Sequence, residues 1–174
     1  ADERIRVVAV EEKSLAELGR WPWSRRVHAQ LIDALSASGA KSIALDILLS
    51  EPALYDPEGD ALLTQALTRS HKVVLPVFAE AQQQNGPLVE LLPIPEFAAS
   101  AAALGHVDMA LYSDGVARSM FLRAGLGTPH WPSLALALHQ LGNEPGESDG
   151  NLPGLRNPQA GTVAPQDWVR DHEV

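Results

Sequence analysis

Four carboxylates and one basic, aromatic loop are the groups in this sequence whose chemistry could serve a ligand. Glu11 and Asp46 fall at or near the carboxyl ends of two apolar runs, and Asp108 and Asp114 belong to a later hairpin. In open α/β sheets that edge is where ligands bind, and carboxylates gathered there can hold a hard cation through oxygen. Glu11 and Asp46 are the candidate metal ligands on this reading, although their spacing matches no recognised metal motif. The structural alternative has Asp46 accepting hydrogen bonds from the amides of a neighbouring loop, because a buried carboxylate must be satisfied.

The loop is Gly19-Arg20-Trp21-Pro22-Trp23-Ser24-Arg25-Arg26, with two indoles and three guanidinium groups inside eight residues. Such a cluster can stack on and charge-pair with an anionic or aromatic ligand. It can equally pack, with Trp21 and Trp23 filling the gap between the first helix and the sheet and Arg20 pairing Glu11 or Asp46. An Arg–carboxylate pair under a Trp lid satisfies both readings, and the sequence leaves them open. Elsewhere the motifs of catalysis are missing. The six histidines, at positions 28, 71, 106, 130, 139 and 172, show no His-x-x-x-His spacing, no serine sits in Gly-x-Ser-x-Gly, and no Gly-rich phosphate loop follows a strand. Hydrolase and kinase chemistry have little behind them, and no cofactor is expected. A metal-dependent phosphoesterase built on the acidic cluster is a remote alternative.

The elements that must position these groups alternate between strand and helix. Ile5-Arg6-Val7-Val8-Ala9-Val10 is short, apolar and β-branched and reads as a buried strand ending at Glu11. Ser24 is placed to cap a helix with Val27, Leu31, Ile32 and Leu35 on one face and a stop at Gly39. Residues 42–49 are apolar on both faces, as a central parallel strand would be, with Asp46 the one polar interior residue. A helix with Leu62, Leu63, Ala66 and Leu67 inside leads to a third apolar run, residues 73–78. Right-handed crossovers make these three strands parallel. After a Gln-rich exposed loop over 80–85, Pro95 opens a helix through the alanines to Gly105. Residues 107–111 and 116–124 form a hairpin across Ser113-Asp114-Gly115, and a last helix covers about 132–140. From Gly142 onward Gly and Pro recur every few residues, and no element is expected. The predicted fold class is α/β: a mixed, largely parallel sheet flanked by helices, with a hairpin toward the C-terminal side. Residues 1–141 form its core and 142–174 a Gly/Pro-rich tail.

Composition narrows the partners. A chain of 174 residues suits one domain, and 45% hydrophobic residues with 20% charged support a real core and exclude general disorder. An excess of 22 acidic over 13 basic residues gives a net charge of −9, opposite in sign to the footprint of a duplex nucleic-acid binder. Adhesion to an anionic membrane surface is disfavoured for the same reason. No run of about 18 apolar residues reads as a membrane-spanning helix. The absence of cysteine removes disulfides, thiolate zinc sites, Fe–S clusters and cysteine nucleophiles.

Several runs, in order, carry a resemblance. Val8-Ala9-Val10-Glu11-Glu12-Lys13-Ser14-Leu15, then Leu18-Gly19-Arg20-Trp21-Pro22-Trp23-Ser24-Arg25, then Gly39-Ala40-Lys41-Ser42-Ile43-Ala44-Leu45-Asp46-Ile47-Leu48-Leu49-Ser50-Glu51-Pro52 resemble the type-two CHASE domain. Val73-Val74-Leu75-Pro76, Gly105-His106-Val107-Asp108 and Asp114-Gly115-Val116-Ala117-Arg118 agree with it. The family more often carries Asp where this chain has Glu11. The resemblance implies an extracytoplasmic, periplasmic sensory module anchored to the membrane in the full-length protein and passing a signal to a cytoplasmic kinase or nucleotide cyclase. It also implies continuation past the level of Val174, so that the chain is a truncated part of a larger domain. The expected ligand-binding edge comprises Glu11, Arg20, Trp21, Trp23, Asp46, Asp108 and Arg118, facing an unknown small-molecule or protein signal. A ligand-independent homodimer is the alternative.

Overall fold

A computed structural model describes residues 3–81, 86–143, 152–160 and 163–174. After a short helix α1 (Glu12–Leu18), the side chain of Ser24 accepts the Arg26 amide at 3.2 Å and starts α2 (Arg25–Ala37) as expected. That bond satisfies one of the amides a helix start leaves open. Asp56 does the same for α3 (Pro57–Ser70), accepting the Gly59 amide at 3.0 Å, with Pro57 in the first turn. The two helices pack together over Ile32, Leu63, Ala66 and Leu67, all fully buried. Burying a side chain of leucine size stabilises the fold by roughly 1.5–3 kcal/mol.

The strands form two four-stranded sheets; α4 (Pro95–Ser100) packs on α3, and α5 (Leu134–Gly142) packs on the first sheet. In the first, β2 (Val73–Ala81) is central. It pairs in parallel with β1 (Ile43–Ala44) and β4 (Ala103–His106), and its far half pairs antiparallel with β3 (Leu88–Leu91). Val73, Val74, Leu75 and Val77 are completely buried, which explains the unbroken apolar run. The second sheet is antiparallel: β5 (Met109–Leu111), β7 (Trp131–Pro132) and β8 (Trp168–Glu173) all pair with β6 (Ala117–Leu126). A bridge between His106 and Ser133 joins the sheets, and a Cβ on Gly105 would lie 2.8 Å from the Leu134 backbone, so α5 begins directly on β4.

The α/β class and the hairpin at 107–124 stand as read, but four expectations are corrected. The sheet is not largely parallel: one sheet is mixed and the other antiparallel. Residues 5–10 are not a buried strand; they join no ladder, and Ile5, Val7 and Val8 are 64%, 87% and 63% exposed. The third parallel strand is instead β4, taken from the end of the expected alanine helix. α4 stops at Ser100, Ala101 turns extended, and the Ala102 amide donates to the Val73 carbonyl at 2.8 Å, so pairing with β2 overrides alanine's helix propensity. Finally, the tail supplies β8. Its Gly and Pro residues mark the approach to the strand, whereas 168–173 contains neither. Of the Gln-rich loop, Glu80 and Ala81 belong to β2, and 82–85 lie outside the described residues, as do 144–151 and 161–162 of the tail.

Candidate functional site

The Gly-Arg-Trp-Pro-Trp loop folds onto the head of α2. Trp21 meets Trp23 edge to face at 5.5 Å and His28 at 5.6 Å, and the Trp23 indole donates to the Gly19 carbonyl at 2.9 Å. The Trp21–Pro22 peptide bond is cis. His28 is buried beneath, its pKa lowered first by burial and then by the neighbouring charge of Arg25. Arg20 and Glu11 are exposed and their side chains make no ion pair among the described residues. The expected arginine–carboxylate pairing exists one turn further on. Arg26 bonds Asp56 at 2.8, 3.0 and 3.2 Å and Glu58 at 2.8 Å, while Arg25 lies 3.4 Å from Asp60 and donates to the Glu51 carbonyl. Arg26 holds the Asp56 carboxyl down to about 2. These partners were missed because their spacing spells only a helix cap. The Asp56-Pro57 pair was the signal available.

Asp46 stands apart from both. β1 ends at Ala44, the Ile47 amide folds back onto the Leu45 carbonyl at 2.8 Å, and Asp46 is the exposed centre of that tight turn. It is therefore not the buried, loop-anchoring carboxylate expected from the apolar run. Among the described residues no group of three or more His, Asp or Glu side chains is placed to hold a metal ion, so Glu11 and Asp46 lack further ligands.

The second cluster forms where β4 leaves the first sheet. Asp108 accepts the Trp168 indole N–H at 3.0 Å and pairs bidentately with Nε and Nη2 of Arg170. Burial raises its pKa, but these hydrogen bonds outweigh burial and keep it low. The Asp108 amide donates to His106 Nδ1 at 3.2 Å, leaving the ring proton on Nε2, which meets no hydrogen-bond partner within 3.5 Å among the described residues. His106 is 1% exposed, and burial pushes its pKa down to about 4 against the opposing pull of Asp108. At the exposed hairpin tip, Arg118 pairs with Asp114 at 2.6 and 2.9 Å and lies over the Tyr112 ring. The structure thus unites Trp21 with Trp23 and Arg118 with Asp114, and joins Asp108 to Trp168 and Arg170, which sequence reasoning missed in the featureless tail. It forms no bond among Glu11, Arg20, Asp46 and Asp108.

Carboxylates held ionised by guanidinium partners are poor proton carriers and good fixed points, which suits a recognition or docking module of the α/β class. The chain matches the family model described as the CHASE2 domain over residues 1–167, and it belongs to that family. CHASE2 domains are extracytoplasmic sensory domains, not catalytic ones. Comparison with curated proteins found no match, and neither did comparison with solved structures.

Proposed function

We propose that this chain is the signal-input part of a membrane-anchored bacterial receptor, placed in the periplasm and regulating a cytoplasmic histidine kinase or nucleotide cyclase. The family match over 1–167 is the observation that carries this reading. The acidic charge and the ion-paired loop edges support it, since neither suits a nucleic-acid or phosphate-ester substrate. The loop edge around Arg20, Trp21 and Trp23, where Arg20 makes no ion pair among the described residues and Trp21 is half-exposed, is one contact surface for the signal. A signal molecule that uses it raises the melting temperature of the wild-type chain and not that of Arg20→Ala, which changes an exposed side chain. In the full-length receptor the same molecule changes kinase or cyclase output. Unchanged output across a ligand series that binds the domain counts against the sensory reading.

A second reading, a dimerisation element, is favoured by the uncovered run at Ile5, Val7, Val8 and Val10. Light scattering over a concentration series tests it. A dimer that Val7→Lys dissociates supports the reading, and a monomer at all concentrations sinks it.

A further inference from the structure

We infer that the cleft between β6, β8 and the segment 152–157 is a binding site for a small organic dicarboxylate. This inference names a ligand class for the sensory reading above and rests on it for its biological purpose, but the binding itself stands on the cleft. The cleft holds about 480 Å³, within the range of small-molecule sites. Arg123, His130, Arg156 and His172 line it against a single carboxylate, Asp171, in a chain whose net charge is −9. A basic concavity on an acidic molecule selects anions locally.

Asp171 offsets one guanidinium charge but leaves the cleft net positive, and it presents no open oxygen to a ligand, because both of its oxygens are already occupied. Its side chain is 3% exposed; Oδ1 accepts the Asn157 amide at 2.7 Å and the His172 amide at 2.9 Å, and Arg156 Nε bonds both oxygens at 3.0 and 3.2 Å. Arg156 is thereby oriented through Nε alone. Its two Nη groups make no hydrogen bond among the described residues, on a side chain 68% exposed. The outer edge of a guanidinium fixed in this way matches a carboxylate bidentately. Arg123, from the opposite wall on β6, is steadied by donation from Nη1 to the His130 carbonyl at 3.3 Å. Two arginines on two walls call for two carboxylates on one ligand. Pro129 and Leu152 supply the apolar wall that a carbon skeleton uses and an inorganic ion does not.

His172 completes the site. It holds φ at 56° inside a strand, a left-handed conformation that non-glycine residues adopt at a cost and that concentrates at functional positions. Its Nδ1–H donates to the Pro153 carbonyl at 3.0 Å, so in the neutral tautomer the lone pair lies on Nε2, which bonds nothing among the described residues. That lone pair can accept a ligand hydroxyl, so hydroxy-dicarboxylates gain one bond over plain ones. His130 contributes wall, its ring being engaged by Thr128 and lying 3.4 Å from Glu90.

Calorimetry of the full 174-residue chain with succinate, malate, inorganic phosphate and chloride tests the assignment. One saturable site for malate and succinate is expected, with malate the tighter. Arg123→Gln and Arg156→Lys each weaken it about tenfold or more, and Leu152→Trp, which fills the cleft without touching a charge, abolishes it. Arg69→Ala, which alters an exposed cation on α3, keeps wild-type affinity. Absence of binding at millimolar concentration, equal binding of phosphate and dicarboxylate, or unchanged affinity in Leu152→Trp overturns the cleft. Amide shift mapping on the wild type needs no variant: perturbations centred away from 123–130 and 152–172 overturn it as well. Binding at the cleft with no change in receptor output overturns the sensory reading and leaves the site standing.

Discussion

Trp168 donates its indole N–H to Asp108 across sixty residues of sequence, and Arg170, two positions on along β8, closes on the same carboxylate. One side chain at the exit of β4 thus anchors the strand that completes the second sheet. Asp108→Ala leaves a half-buried indole N–H without its acceptor and is expected to lower stability by about 2 kcal/mol. Asp108→Asn keeps an acceptor for Trp168, loses only the charge partner of Arg170, and is expected to cost about half as much. Urea unfolding of the three proteins separates them. Equal stability of all three would show that β8 is held by its ladder alone.

Acid stability should fall in two separate windows. Asp56 has its pKa depressed from 3.8 to about 2 by Arg26, so its contribution is complete above pH 4 and is lost as pH drops toward 2. Melting temperatures between pH 4 and 2 should fall less steeply in Asp56→Asn than in wild type, from a lower starting value. A parallel decline in both would remove Asp56 from the account.

His106 works in the other window. Its folded pKa near 4 lies below the ordinary value of 6.5, so the unfolded chain takes up a proton between pH 6.5 and 4 that the native imidazole refuses. Stability is therefore expected to decline over that interval, by up to about 3 kcal/mol in total. His106→Asn retains an acceptor for the Asp108 amide and should flatten the slope. Denaturant midpoints measured every half pH unit check it.

Gly105→Ala tests the junction of β4 and α5. The added methyl would meet the Leu134 backbone nitrogen and Cα at 2.8 Å, which no side-chain rotation can relieve. A loss of about 1–3 kcal/mol is expected. The neighbouring cap variant Ser133→Ala, which removes the 3.1 Å bond to the Leu136 amide, should cost about 1 kcal/mol. A Gly105→Ala variant as stable as wild type would show that α5 can shift away freely.

Local chemistry was legible where a residue acts on its own neighbours. Ser24 as a cap, Pro95 opening a helix, the Asp114-Gly115 turn and most of the apolar faces of α2 and α3 follow from spacing within one element, although Leu62, read as inward, is exposed. Pairing between distant strands was legible only for β1 with β2, which run parallel as read. Ile5, Val7 and Val8 have the β-branched character of a buried strand, yet the place beside β2 goes to Ala103–His106, whose alanines read as helix. The site shows the same division. The indoles and guanidinium groups of 19–26 announce themselves by density. Arg156 and Asp171 become informative only once β8 lies against β6, because nothing in a Gly/Pro-rich tail marks which carboxylate is spent and which cation remains available.

The pairing of β6 with β8 also dictates an order of assembly. Phe121 faces Glu173 and Leu126 faces Trp168, whereas the core of α2, α3, β1, β2 and β4 is complete by His106. A chain emerging N-terminus first can collapse that early core while β6 still waits with one edge uncovered. Contacts of such long sequence separation form late and leave unpaired edges open in the meantime. The second sheet is therefore the part of the molecule most exposed to proteases and to wrong partners during biogenesis.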